Sequence, residues 1–144
     1  MHEPSAAVDA DARVVVDACF RIHAALGPGY VERTYGSALA LELRERGIPF
    51  RREERILVQY REHVVGEHVL DFLVRDHLIV ELKAVDRLAP VYHAQVISYL
   101  RATRIELGLL INFNAPAFRE AVRRVVLTKT WKPWSTFRYD EEPI

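Results

Sequence analysis

The chain has one cysteine, Cys19, among 144 residues, so no internal disulfide can form. A free cysteine on the apolar side of a helix behaves as a small hydrophobe. That is the expected role of Cys19. Charge of either sign is not in excess: Lys and Arg number 20, Asp and Glu number 20, and the formal net charge is zero. This excludes the strongly basic signature of a tail-driven nucleic-acid binder, though not a local basic surface. The six histidines are scattered, without zinc spacing. No apolar run approaches the roughly 18–20 residues that span a bilayer. The start of the chain lacks a basic segment followed by an apolar one, so no signal peptide is expected. Repeats and low-complexity blocks are also missing. A cytoplasmic protein with no membrane contact is the expectation.

What is present suits one domain. Half the residues are hydrophobic, and a chain of this length buries roughly 70% of its unfolded surface. Residues 1–7 read as a loose end and 8–127 as the domain. Apolar spacing predicts a helix from about Val8 to Leu26, with Val15, Ala18, Cys19, Ile22, Ala25 and Leu26 on its inner face. Gly27-Pro28-Gly29 stops it. A second helix is expected from about Tyr30 to Arg46, burying Val31, Tyr35, Ala38 and Leu39. Residues 54–61, 64–74 and 78–85 read as a three-strand meander, with turns near Glu62-His63 and Arg75-Asp76-His77. Pro90 sits in the first turn of a third helix, about Ala89 to Thr103. Glu106–Phe113 is nearly all apolar, as an interior strand would be. Ala121–Leu127 reads as strand or helix. The segment 128–144 carries Trp131, Trp134, Phe137 and Tyr139, and is expected to dock on the domain or on a partner. The order is α-α-β-β-β-α-β-(β), an α/β architecture with helices flanking a mixed sheet.

The chemistry centres on the second and third strands. Leu70, Phe72 and Val74 share one face by alternation, and Leu78, Val80 and Leu82 share another. A two-residue loop at 75–76 would set Asp71 among the second apolar set. A three-residue loop at 75–77 joins the two apolar sets and puts Asp71 opposite Glu81. A one-residue slip moves every side chain to the other face, so the apolar sets select the odd loop or an equivalent bulge. Asp71, Glu81 and Lys83 then converge on one face. Opposed like charges destabilise a sheet, and desolvation adds to the cost. A divalent cation would relieve both, and hard oxygen ligands favour Mg²⁺ or Mn²⁺. Lys83 would then hold or help deprotonate a water, or offset phosphate charge. The competing reading is a structural Lys–Asp–Glu ion-pair network.

The pattern Asp71, nine residues, then Glu81-Leu82-Lys83 resembles the PD-(D/E)XK nuclease superfamily. More specific is Gly29-Tyr30-Val31-Glu32-Arg33-Thr34-Tyr35, which matches the motif that names the bacterial GxxExxY family within it. His23–Gly29, Val80–Val85, His93-Ala94-Gln95, Ser98–Thr103 and Leu109–Phe113 are similar to that family as well. The likeness runs from about residue 10 to 127. It implies a restriction-endonuclease-like core of order α-β-β-β-α-β, here with an extra N-terminal helix. By position it implies Asp71 and Glu81 as metal ligands, Lys83 as the catalytic lysine, and Glu32 as an additional acid near the metal. Gln95 matches the glutamine on the helix after the catalytic strand. Tyr99 follows one turn later, so the two would face one cleft. Leu70 stands where a proline often precedes the aspartate.

Each further candidate also has an ordinary role. Glu32 would by default face solvent. Tyr35 and Tyr99 would be core residues with bonded hydroxyls, or substrate contacts. His93 would contact a phosphate or none. His23 would cap or pack, and Asn112 would satisfy loop backbone. Trp131 and Trp134 would stack bases or pack on the core. The implied activity is Mg²⁺- or Mn²⁺-dependent hydrolysis of phosphodiesters in nucleic acid, DNA more than RNA. The alternatives are a non-catalytic binding or assembly module and a small-phosphoester hydrolase, which needs an enclosed pocket. A bare core of this size is also expected to use a homodimer or a partner protein for target choice. The zero net charge divides by segment: residues 44–61 carry +3, 62–86 carry −4 and 101–134 carry +5. Arg51, Arg52, Arg55, Arg119, Arg123 and Arg124 are therefore expected to rim an acidic cleft.

Overall fold

The protein is described by a computed structural model that covers residues 3–127. The aromatic segment 128–144 lies outside the described residues. The first helix, α1 (Ala6–Leu26), starts two residues earlier than the apolar spacing suggests. Ser5 caps it, accepting from the Val8 N–H at 3.3 Å, so part of the expected loose end is helix. Val15, Ala18, Cys19 and Ile22 are buried as expected, while Ala25 and Leu26 are exposed in the last turn. Burial pushes the Cys19 thiol well above its ordinary range, which leaves it unreactive. Gly27 ends the helix at φ 67°, a left-handed backbone that glycine adopts without strain.

Helix α2 (Glu32–Glu45) buries Tyr35, Gly36, Leu39, Ala40 and Leu43. Val31, expected in that stripe, is instead the N-cap and is 69% exposed. Its extended backbone precedes the helix, so the helical periodicity does not apply to it.

The strands are β1 (Phe50–Tyr60), β2 (His63–Val74), β3 (Leu78–Lys83), β4 (Leu107–Asn112) and β5 (Val122–Val126), and they form one sheet in that order. Only β3 and β4 pair in parallel, because helix α3 (Pro90–Thr103) carries the chain back between them. Arg61 and Glu62 both take positive φ in the two-residue turn from β1 to β2. The β2–β3 loop has three residues, with Phe72 opposite Val80 and Val74 opposite Leu78. This is the register the apolar sets select.

The sheet separates two cores. Helices α1 and α2 pack with Phe72, Val74, Leu78, Val80, Leu82, Leu109 and Ile111. Helix α3 packs on the other side with Leu70, Leu73, Ile79 and Leu110. Leu70 is thus separated from Phe72 and Val74, against simple alternation. The cause is local. The β1–β2 ladder runs from Arg52–Phe72 to Glu54–Leu70 without a Glu53–Asp71 pair, and Glu53 has φ 52°. Side chains change face across this irregularity.

Strand β4 is buried throughout, as its apolar run suggests. A Cβ on its Gly108 would lie 2.7 Å from Val96 Cγ1 of α3. Gly108→Ala is therefore expected to destabilise the fold by about 1–3 kcal/mol through overpacking, read as a lower urea midpoint. The ambiguous segment 121–127 resolves as β5, after a short 3₁₀ turn at Phe118–Glu120. Among the described residues no helix is long and apolar enough to cross a membrane.

Candidate active site

The pairing of β2 with β3 runs only from Val74–Leu78 to Phe72–Val80. At the next position a carboxylate from each strand bonds to the other strand's backbone. Glu81 Oε1 accepts from the Asp71 N–H at 2.9 Å. Asp71 Oδ2 accepts from the Leu82 N–H at 2.8 Å. Two backbone donors that would otherwise go unpaired are satisfied by acids. This explains why the acids are tolerated inside a sheet, and why their spacing follows the loop length.

Glu81 is 4% exposed. Burial, and then the charge of Asp71, push its carboxyl up to about 8. Asp71 is also raised, chiefly by burial, against the opposing effects of the Leu82 N–H and the Lys83 and Arg52 charges. The charge of Asp71 thus disfavours a second negative charge on Glu81. Lys83 is half-buried, with Nζ 4.7 Å from the centre of the Tyr92 ring. Among the described residues it forms no ion pair with either acid. The Lys–Asp–Glu salt-bridge network that competes with the functional reading is therefore not formed as direct pairs.

Asp71 opens into a cleft of about 360 Å³ on the α2 side, lined by Glu32, Arg33, Gly36, Arg52, Glu53, Phe72 and Leu82. Glu32 is exposed on the first turn of α2. It shares the cleft with Asp71, yet no three acidic, histidine or cysteine side chains among the described residues close on one point. Gln95 and Tyr99 share a groove, as their i, i+4 spacing suggests, but on the α3 side, with Leu57, Val58, His68 and Arg104. That groove and the Asp71 cleft are separate cavities. Tyr99 nevertheless senses the acids. Burial first, then the Glu81 and Asp71 charges, raise its hydroxyl. The acid pair thus lies within the sheet layer, between the two cavities.

Other candidates fall outside the pair. Tyr35 is fully buried. Its hydroxyl donates to the Gly27 carbonyl and accepts from the Tyr30 N–H, and its ring stacks on Phe113 at 4.4 Å. It shapes the 27–30 loop and presents no surface to a ligand. His93 is exposed near the start of α3. His23 bonds the Ala115 carbonyl at 2.7 Å. Asn112 fixes the loop after Lys83: it accepts from the Val85 N–H at 3.0 Å and donates to the Val85 carbonyl at 2.9 Å.

The expected arginine rim is mostly not formed. Arg51 pairs with Glu54 and Asp76, and Arg55 with Glu67. Arg119 is exposed on the 3₁₀ turn. Arg123 and Arg124 lie on β5, separated from β2 by both β3 and β4, and Arg124 is held by Asp9. Only Arg52 of the six lines the cleft. Arg33, Gly36 and Glu53 were not singled out from sequence as cleft residues. Gly36 carried a signal, since glycine inside a helix costs about 1 kcal/mol and often marks a close approach.

A family model described as the PD-(D/E)XK nuclease superfamily matches residues 9–125. The chain belongs to that superfamily, and its helices and mixed sheet form the restriction-endonuclease-like fold. No curated protein and no solved structure matches it.

Proposed function

We propose that the protein is a nuclease of the GxxExxY type, dependent on Mg²⁺ or Mn²⁺, that hydrolyses phosphodiesters of DNA in preference to RNA. The carrying observation is the Asp71–Glu81 pair, each carboxylate bonded to the other strand's backbone, with the Lys83 ammonium close enough to act on both charges. Two adjacent acids, one of them buried and holding its proton up to about pH 8, fit a hard divalent cation, which displaces that proton. Asp71 and Glu81 would hold the ion, with Glu32 reaching in from the cleft. When bound, the ion would supply positive charge at a phosphoryl oxygen and lower the pKa of a water.

The chain's own groups have separate tasks. Lys83 offsets charge that builds on phosphoryl oxygens. The backbone N–H groups of Asp71 and Leu82 orient the two carboxylates. Tyr99, beside Glu81, and Gln95 form the α3-side approach to the site. The lone reduced cysteine suits a cytoplasmic location.

A second reading, a nuclease fold serving as a binding or assembly module, draws on one observation: Glu32 does not close on the acid pair. Both readings meet in one assay. Linear DNA duplex, single-stranded DNA and RNA are incubated with the full chain and Mg²⁺ or Mn²⁺, with a chelator control. The nuclease reading expects chelator-sensitive cleavage. Intact substrates under every condition favour the module.

A further inference from the structure

Arg33 and Arg52 both line the Asp71 cleft, but Arg52 is held in a particular way. Its guanidinium carbon lies 5.3 Å from the centre of the Phe72 ring. Its Nη2 occupies the space above Gly36, only 2.7 Å from where a Cβ would stand. The guanidinium is therefore seated between an aromatic side chain of β2 and the bare backbone of α2. Most arginines of the first two strands and their surroundings are neutralised: Arg46, Arg51, Arg55 and Arg75 all have carboxylate partners. Among the described residues Arg52 has no ion pair and no hydrogen-bonded acceptor. Its donors are also not sealed away, since no buried side-chain nitrogen lacks a partner. A positioned, planar fork of free donors beside a carboxylate pair suits an anion with two oxygens in one plane.

We propose that Arg52 binds two non-bridging oxygens of a nucleic-acid phosphate in the Asp71 cleft, and that position 36 is glycine because α2 must seat that guanidinium. This rests on the nuclease reading and adds the direction of approach. The strand enters from the α2 side of the sheet, past Glu32 and Arg33.

The test measures binding, with Ca²⁺ in place of Mg²⁺ to limit turnover, on a fluorescent DNA duplex of about 20 base pairs over a range of salt. Arg52→Gln is expected to weaken Kd about tenfold and to make the salt dependence shallower by about one charge. Arg52→Lys should recover the salt slope without the full affinity, because an ammonium is a point charge. Gly36→Ala keeps the charge but displaces the guanidinium. It should weaken binding similarly with unchanged or higher Tm, since alanine favours the helix. Gly36→Ala combined with Arg52→Gln should bind no worse than Arg52→Gln alone. Arg124→Gln, on β5, should bind as wild type.

Wild-type Kd and slope for Arg52→Gln overturn the proposal and leave the nuclease reading standing. Equal losses for Arg124→Gln and Arg52→Gln overturn it as well, as an effect of total charge. Additive losses from Gly36→Ala and Arg52→Gln refute the seat. A wild-type chain that neither binds nor cleaves DNA removes the nuclease reading, and the proposal with it.

Discussion

Asp71→Asn is expected to lower metal-supported cleavage by about 10²–10³-fold or more, while leaving the fold equally or more stable. The two effects share a cause. Asparagine keeps the shape of the side chain, and its oxygen can still accept from the Leu82 N–H. It removes the charge that, with burial, raises the proton affinity of Glu81. Relief of that conflict stabilises the metal-free chain, and loss of an anionic ligand disables it. Activity sites commonly show this exchange of stability for function. Lys83→Met should reduce cleavage by a similar factor for a different reason. It breaks no ion pair, but removes the positive charge that acts on both acids. Initial rates beside urea denaturation curves separate the effects. A variant that loses activity only because it unfolds would speak against the assigned roles.

The second large expectation concerns pH. The folded-state carboxyl of Glu81 is raised from 4.5 to about 8, and that of Asp71 is raised too. An acid whose folded pKa lies above its unfolded value binds its proton more tightly when folded. Its contribution to stability is full below the unfolded pKa and is lost as pH rises through the folded pKa. The metal-free chain should therefore lose stability as pH rises from about 4.5 to about 8, by a few kcal/mol or several degrees in Tm, and level off above that. Saturating Mg²⁺ or Mn²⁺ should flatten the profile, because the ion replaces the proton. Glu81→Gln should flatten it without metal. Scanning calorimetry in chelator and in metal reads all three. A wild-type Tm that is level over this range in chelator would mean the acids are not in conflict.

Much of this architecture is legible in the sequence because the apolar pattern constrains it. The three-residue β2–β3 loop follows from joining Phe72 and Val74 with Val80 and Leu78 on one face, and that register brings Asp71 to Glu81. What alternation does not show is the break at Asp71 itself, which sends Leu70 to the α3 side. The break comes from Glu53 at positive φ and from a backbone N–H given to a side chain. Neither leaves a periodic trace. The arginines fail as a rim for a similar reason. Charge along the chain says nothing about strand order, and the β5 arginines end up at the far edge of the sheet. Gln95 and Tyr99 do share a groove, but helix spacing alone does not say which side of the sheet the acids open to.

The central claim is that Asp71 and Glu81 form a divalent-cation site. Isothermal titration of the full chain with Mn²⁺ at pH 7–8, in two buffers of different ionisation enthalpy, tests it most directly. The account predicts saturable binding accompanied by release of a proton, abolished by Asp71→Asn and by Glu81→Gln. Absence of Mn²⁺ binding at any pH where the chain is folded, or equal binding by both variants, would contradict it.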